Sequence, residues 1–172
     1  MELPKKKYNK MKDKFILDVC CGLKAFWFDK NHPNTLFLDK RTREKGFDDF
    51  RKNFSIKPDY EADFRNLPFP DKSFKLVVMD PPHIIAKEES FRMVKYYGSL
   101  KVDTWRRDIK QGFDECLRVL EDYGVLIFKW NEASIKRKEL LEVLKIEPLF
   151  GHPNGSRIGT HWFCFMKIPN NN

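Results

Sequence analysis

Three apolar runs in this chain end on an aspartate: Ile16-Leu17-Asp18, Leu36-Phe37-Leu38-Asp39 and Leu76-Val77-Val78-Met79-Asp80. Unbroken apolar runs of this length read as strands buried on both faces, the kind found in the centre of a parallel sheet. In an open parallel sheet the ligand crevice lies beyond the carboxyl ends of the strands, so these carboxylates are expected to converge on it. An ionised carboxylate only accepts hydrogen bonds, and its two oxygens can serve two donors at once. The last run continues as Asp80-Pro81-Pro82-His83. Two prolines fix φ and supply no N–H, so the carbonyls beside them are held stiffly toward the crevice. His83 adds an imidazole that can stack, donate a hydrogen bond or titrate near pH 6.5.

The elements that must position these groups can be read between them. Gly124–Lys129 is a fourth apolar run, and Thr104–Tyr123 carries Trp105, Ile109, Phe113, Cys116, Leu117 and Leu120 on one helical stripe. Ser134–Lys145 is a second helix with Leu140, Leu141 and Leu144 together, and a short helix is expected around Ala25–Asp29, cut off by His32-Pro33-Asn34. Leu67-Pro68-Phe69-Pro70-Asp71 is a loop rich in breakers. Near the end, Ile146–Phe150 reads as a strand, Gly151–Arg157 as a loop and Thr160–Ile168 as a last strand. That strand follows without a helix between, so it pairs antiparallel. The pattern is α/β, a mostly parallel sheet with a C-terminal antiparallel strand.

With 172 residues the chain is read as a basic extension (1–13), a single domain (14–169) and a short tail (170–172). Hydrophobic residues make up 41% and charged residues 34%, which excludes wholesale disorder. No apolar stretch approaches the roughly 20 residues of a spanning helix, and no signal peptide is read, so the expected compartment is the cytosol, with no membrane partner. Cys20, Cys21, Cys116 and Cys164 form no C-x-x-C pair and stand at no ligand spacing from the histidines; they read as reduced thiols, with no metal expected. Of the net charge of +8, residues 1–14 carry +4, and 84–111 and 129–172 carry +3 each, offset by −3 in 112–128. A solvated basic surface accounts for this, and so does an anionic partner, nucleic acid above all.

Over residues 14–168 the chain resembles the class I S-adenosylmethionine-dependent methyltransferases, specifically the amino-methyltransferases with a D/N/S-P-P-aromatic motif. The resemblance implies a three-layer Rossmann-like fold with a seven-stranded sheet, six strands parallel and one antiparallel. It makes S-adenosyl-L-methionine the cofactor. Asp18-Val19-Cys20-Cys21-Gly22-Leu23-Lys24 matches the glycine-rich first loop, with Cys20 at the first glycine position and Lys24 at the third. Asp39, with Lys40 beside it, matches the acid that holds a ribose. Asp63 and Phe64 match the pair that meets the adenine ring. Asp80, also counted with the cofactor contacts, leads the catalytic Asp80, Pro81, Pro82 and His83. In this family the acid and the first proline's carbonyl accept the two N–H of an exocyclic amine, turning the nitrogen lone pair toward the methyl group. His83 stands where the family has an aromatic residue.

Residues 84–103 form a long connection in which Phe91, Tyr96 and Tyr97 interleave with Lys87, Arg92, Lys95 and Lys101. This suits a substrate loop that stacks a base and neutralises phosphates. Lys87, Arg92, Tyr96, Tyr97, Lys129 and Arg157 are the expected substrate contacts. The reading is a methyltransferase acting on an exocyclic amine of DNA or RNA, adenine N6 first. Guanine N2, cytosine N4 and small-molecule amines are alternative acceptors, and a methyltransferase-like module without turnover is the reading from another class. No residues are left for a separate target-reading domain, so the loop, a structured RNA, a partner subunit or a homodimer would have to supply recognition.

Overall fold

The apolar runs form the centre of one sheet in the computed structural model, which describes residues 13–86, 92–152 and 159–169. The strands are β1 (Ile16–Asp18), β2 (Thr35–Asp39), β3 (Tyr60–Glu61), β4 (Phe74–Met79), β5 (Leu120–Asn131) and β6 (Thr160–Met166). Their order is β3-β2-β1-β4-β5-β6. Pairing is parallel from β3 through β5, and β6 lies antiparallel on β5. The chain runs outward from β1 to β3, then returns to the other side of β1 as β4. The strand order therefore reverses between β1 and β4, and the crevice of such a sheet opens beyond their carboxyl ends.

Among the described residues three helices accompany the sheet: α1 (Arg92–Tyr97), α2 (Trp105–Val119) and α3 (Arg137–Leu144). Ile109, Phe113 and Cys116 of α2 and Leu140 and Leu144 of α3 share a core with Leu17, Leu36, Leu38, Val77, Met79, Leu126 and Phe128. Successive strand residues point to opposite faces. The residues between those core positions, namely Asp18, Phe37, Asp39, Val78 and Ile127, therefore face the other way, and Asp80 and Lys129 continue that parity. The acids share one face because each stands one residue out of step with the helix-packed core.

That second face is covered by loops. The helix expected around Ala25–Asp29 does not form, and the chain from β1 to β2 runs through turns instead. Lys24 donates its N–H to Cys21 O at 2.6 Å and takes a φ of 52°, while Trp27 N–H reaches Lys24 O at 3.3 Å. Three consecutive aromatics (Phe26, Trp27, Phe28) before His32-Pro33 are poor helix material, and the first two rings pack elsewhere while Phe28 is exposed. Trp27 packs edge-on to Phe37, and Phe26 edge-on to Trp162.

The seventh strand is also reduced. At Ile146–Phe150 the chain makes one antiparallel bridge, Phe150 to Cys164, flanking β6. Pro148 has no N–H for a ladder, which limits the pairing of this segment. Smaller differences concern ends: α2 stops at Val119 because Leu120 already has extended backbone and opens β5, four residues before the expected start. Among the described residues no helix is long and apolar enough to cross a membrane.

Candidate functional site

Asp18 closes β1 and is completely buried. Its Oδ1 accepts the N–H of Cys20 at 3.1 Å and its Oδ2 accepts Nε1–H of Trp27 at 2.7 Å. The carboxyl thus ties both ends of the first loop together from behind. It does not line the adjoining cavity. Burial pushes its pKa up to about 7, against which the Trp27 and Cys20 hydrogen bonds pull down, while the charges of Asp80 and Asp39 push further up.

The consequence for stability has a definite sign. Between the ordinary carboxylate value of 3.8 and about 7, the unfolded chain has lost this proton and the folded chain keeps it. The contribution of Asp18 to stability therefore falls as pH rises through that window and is level above it. In Asp18→Asn this part of the fall is absent. Urea unfolding of both proteins from pH 4 to pH 8 checks it, and parallel stability profiles would refute it.

Cys20 and Cys21 follow, their thiols raised mainly by burial and then by the nearby carboxylates, so they stay protonated. Gly22 turns the loop with φ 46°. A Cβ there would meet nothing nearer than Cys20 O at 3.9 Å and Asp39 Oδ2 at 4.0 Å, so the loop backbone lies open to the crevice. Only glycine adopts this φ without strain. Gly22 donates its N–H to Asp39 Oδ2 at 2.9 Å, which locks the loop to the end of β2.

Asp39 is engaged on both oxygens. Oδ1 accepts the backbone N–H and Nε–H of Arg41, each at 3.0 Å, and Nη2 of Arg41 reaches Oδ2 at 3.3 Å. Nη1 of the same guanidinium donates to Tyr96 O of α1 at 3.4 Å. Arg41 is a residue that sequence reasoning passed over. It stands two positions after the acid, a spacing that carries no helical or strand signal outside the element.

Across the crevice, Asp80 Oδ2 accepts Nζ–H of Lys129 at 2.6 Å. The pair follows from register, since Met79 and Phe128 are partners on β4 and β5 and the next residue on each is Asp80 and Lys129. Burial raises the Asp80 pKa, and the Lys129 ammonium opposes this by charge and hydrogen bond. Lys129 Nζ also lies 5.4 Å from the ring centre of Phe26 and 5.8 Å from that of Trp162. Burial lowers the His83 pKa, with Asp80 acting in the opposite direction, so the imidazole favours its neutral form. Its Nδ1 is buried and has no hydrogen-bond partner among the described residues.

These two sides enclose a cavity of about 260 Å³. Cys20, Cys21, Gly22, Asp39 and Lys40 line it from the β1 and β2 ends. Asp80, Pro81, Pro82, His83 and Lys129 line it from β4 and β5, and Phe64 and Tyr97 complete the walls. Phe26, Met93, Asn131 and Thr160 contribute too.

Other expected site residues lie elsewhere. Asp63 sits past the end of β3, off the cavity, and clasps Arg65 at 2.9 and 2.6 Å. Burial would raise its carboxyl, but Arg65 outweighs that and holds it low. Tyr96 is buried, donates its hydroxyl to Asp48 Oδ1 at 2.6 Å and packs against Phe47 and Phe54, so it has no face to offer a base. Arg92 lies 3.8 Å over the Phe50 ring and does not line the cavity. Tyr96 is therefore structural on this geometry, against expectation, while Arg92 stays exposed at the surface. Lys87 and Arg157 lie outside the described residues, as does most of the basic extension.

Comparison with known proteins assigns the fold. The antibiotic-resistance methyltransferase Kmr superposes with a TM-score of 0.55 at 13% identity, covering 99% of this chain and 95% of Kmr. A TehB-like SAM-dependent methyltransferase from Corynebacterium glutamicum gives 0.54 at 15% identity, over 94% of this chain and 85% of that one. The N-methyltransferase NodS from Bradyrhizobium japonicum gives 0.54 at 14% identity, over 91% and 86%. No family model and no curated protein matches the sequence. The chain has the α/β Rossmann-like fold of SAM-dependent methyltransferases, with six described strands and one antiparallel pair.

Proposed function

We propose that this protein is an S-adenosylmethionine-dependent methyltransferase that acts on an exocyclic amine of a nucleic acid base, adenine N6 first. The observation that carries this reading is the single cavity bounded on one side by the Gly22 loop and Asp39 and on the other by Asp80-Pro81-Pro82-His83. The residues fit such a cofactor. The Gly22 backbone is uncovered, Asp39 lines the cavity with acceptor oxygens now held by Gly22 and Arg41, and Phe64 supplies an apolar wall. When bound, the cofactor supplies an electrophilic methyl group on a sulfonium. Lys40 adds a cation at the same edge. The Asp63 carboxylate, committed to Arg65, is not offered to an adenine ring in this arrangement.

Asp80 and the Pro81 carbonyl are the acceptors for the amine N–H groups. A base amine is a weak nucleophile because its lone pair is delocalised into the ring, and acceptors fixed in place favour a more tetrahedral nitrogen. Fixed dipoles cost no reorganisation as charge develops, which is the advantage of a stiff corner. Holding the amine in line with the methyl group contributes the orientation. His83, neutral and less extended than a tyrosine or phenylalanine, is the residue through which acceptor choice is expected to differ from the resembling family.

Lys129 opposes the rise that burial imposes on the Asp80 carboxyl and so sets the acid side of the pH profile. In Lys129→Met the ammonium that lowers the Asp80 pKa is gone, so the carboxylate protonates at higher pH. The acid limb of kcat is expected to move up in pH; an unmoved limb would mean that Asp80 does not titrate in it. The activity itself is tested by incubating DNA and RNA with the protein and isotopically labelled cofactor, then analysing nucleosides by mass spectrometry. Label on adenine N6 is expected. Label on guanine N2 or cytosine N4 would reassign the acceptor, and unlabelled nucleosides with intact cofactor binding would refute a nucleic acid substrate.

A further inference from the structure

A second, larger cavity of about 1100 Å³ adjoins the first and shares Lys40, Arg41 and Gly98 with it. One wall is the chain after β2, with Arg43 and Phe47; the other is α1 and the chain following it, with Val94, Lys95 and Lys101. The second wall is tied to the chain after β4, where Ile85 bridges Leu100 and Leu100 donates its N–H to Ile84 O at 2.8 Å, and to the first wall through Arg41 Nη1, which donates to Tyr96 O at 3.4 Å. Where the two cavities meet, α1 leans directly on the double-proline corner. A Cβ on Gly98 (φ 77°) would lie 3.2 Å from Pro82 Cγ and 3.5 Å from Arg41 Nη1.

The groove gathers several cations along one concavity. Lys40, Arg43, Lys95 and Lys101 are exposed, and none of them forms an ion pair with a described carboxylate. Among the described residues Asp103 is the one acid on the lining. Outside the groove Arg65, Lys72, Lys75, Lys110 and Arg118 are each paired with an acid. Four cations without an ion-pair partner among the described residues, around one concavity, repel each other. The arrangement costs free energy in isolation and is relieved by an anion. Between the cations the surface is apolar, from Phe47, Ile85 and Val94.

We propose that this groove holds a single-stranded nucleic acid by its phosphates and delivers an unpaired base past Gly98 into the cavity at Asp80. The proposal rests on the function proposed above and names the form of its substrate. Alternating cations and apolar surface match a strand whose bases expose their faces. A duplex hides those faces, so the apolar floor would contribute nothing to it, and its target base would have to be flipped at a cost of about a few kcal/mol.

The test is fluorescence anisotropy of a labelled single-stranded oligonucleotide with the full chain, without cofactor, across a salt series. The variant is Arg43→Glu/Lys95→Glu/Lys101→Glu, with the triple alanine variant as a milder second form; all three positions are exposed and outside the catalytic cavity. Affinity is expected to fall about tenfold or more in the alanine variant and further in the glutamate variant. The slope of log K against log salt should become shallower by about 2, at roughly 0.7 per lost contact on a single strand. Unchanged affinity in both variants overturns the proposal, as does absence of binding by the unmodified chain. Tighter binding of a duplex of the same sequence overturns the single-strand assignment, and equal binding of inorganic polyphosphate removes the role of the apolar floor. Cofactor binding is measured separately by calorimetry. Its absence with intact oligonucleotide binding would refute the function and leave the groove, and the reverse result would do the opposite.

Discussion

Replacing Asp80 with alanine is expected to reduce methyl transfer by about a hundred- to a thousandfold while changing cofactor affinity by about threefold at most. The separation follows from the two sides of the cavity. The Gly22 backbone and Asp39 stand at the ends of β1 and β2, whereas Asp80 stands at the end of β4 and faces Lys129 at 2.6 Å. An acceptor that meets only the amine loses its effect in the reaction step and not in cofactor binding. Alanine also leaves the Lys129 ammonium, which is 25% exposed, without its partner. Asp80→Asn therefore serves as the second variant: it keeps one acceptor oxygen, removes the charge and is expected to retain more activity than alanine. Single-turnover transfer and calorimetry on the same preparations separate the two quantities. Equal losses in both would make Asp80 a cofactor ligand and end its assignment as the acceptor of the amine.

Much of this arrangement was legible before the coordinates, and the reason is specific. Leu36-Phe37-Leu38 and Leu76-Val77-Val78-Met79 are apolar at every position because both faces of a central strand are covered, and such runs are hard to confuse with amphipathic helices. The acids at their ends needed only the rule that parallel strands open at their carboxyl ends. β3, two residues long, carries no comparable signal. Tyr96 was misread because aromatic and basic residues interleaved over 84–103 look the same on an exposed loop and on a short helix. Only packing shows that Val94 and Tyr96 turn inward, with Tyr96 bonded to an aspartate 48 positions away. The Asp80–Lys129 and Asp39–Arg41 contacts were hidden for different reasons. The first depends on the register of two strands 49 residues apart, and the second on the conformation of two residues beyond a strand end. The failure of the helix at Ala25–Asp29 is a case of tertiary override, since Phe26 and Trp27 bury their rings against Trp162 and Phe37.

The other large effect is expected at Asp39, and a neighbouring variant makes it diagnostic. The Asp39 carboxylate is 3% exposed and takes three donors: the Gly22 N–H, the Arg41 N–H and the Arg41 guanidinium. A ribose hydroxyl pair would need the same oxygens, and the guanidinium is the donor free to leave, because the two backbone donors are held by the chain. Asp39→Ala removes the acceptors and unlocks the Gly22 loop. Cofactor affinity is expected to fall about ten- to a hundredfold, the range of hydrogen bonds to a charged group. Arg41→Ala should behave differently. It keeps the backbone N–H at position 41 and removes only the competitor, so affinity is expected to hold within about threefold or improve, while α1 loses its contact at Tyr96 O. Calorimetric titration of S-adenosylmethionine into both variants decides between two physical pictures. If Asp39→Ala binds as the unmodified chain does, the carboxylate is a brace for the first loop and nothing more. If both variants lose affinity alike, the guanidinium is itself a ligand rather than a placeholder, and the bidentate pair it makes with Asp39 is the unit that recognises the cofactor.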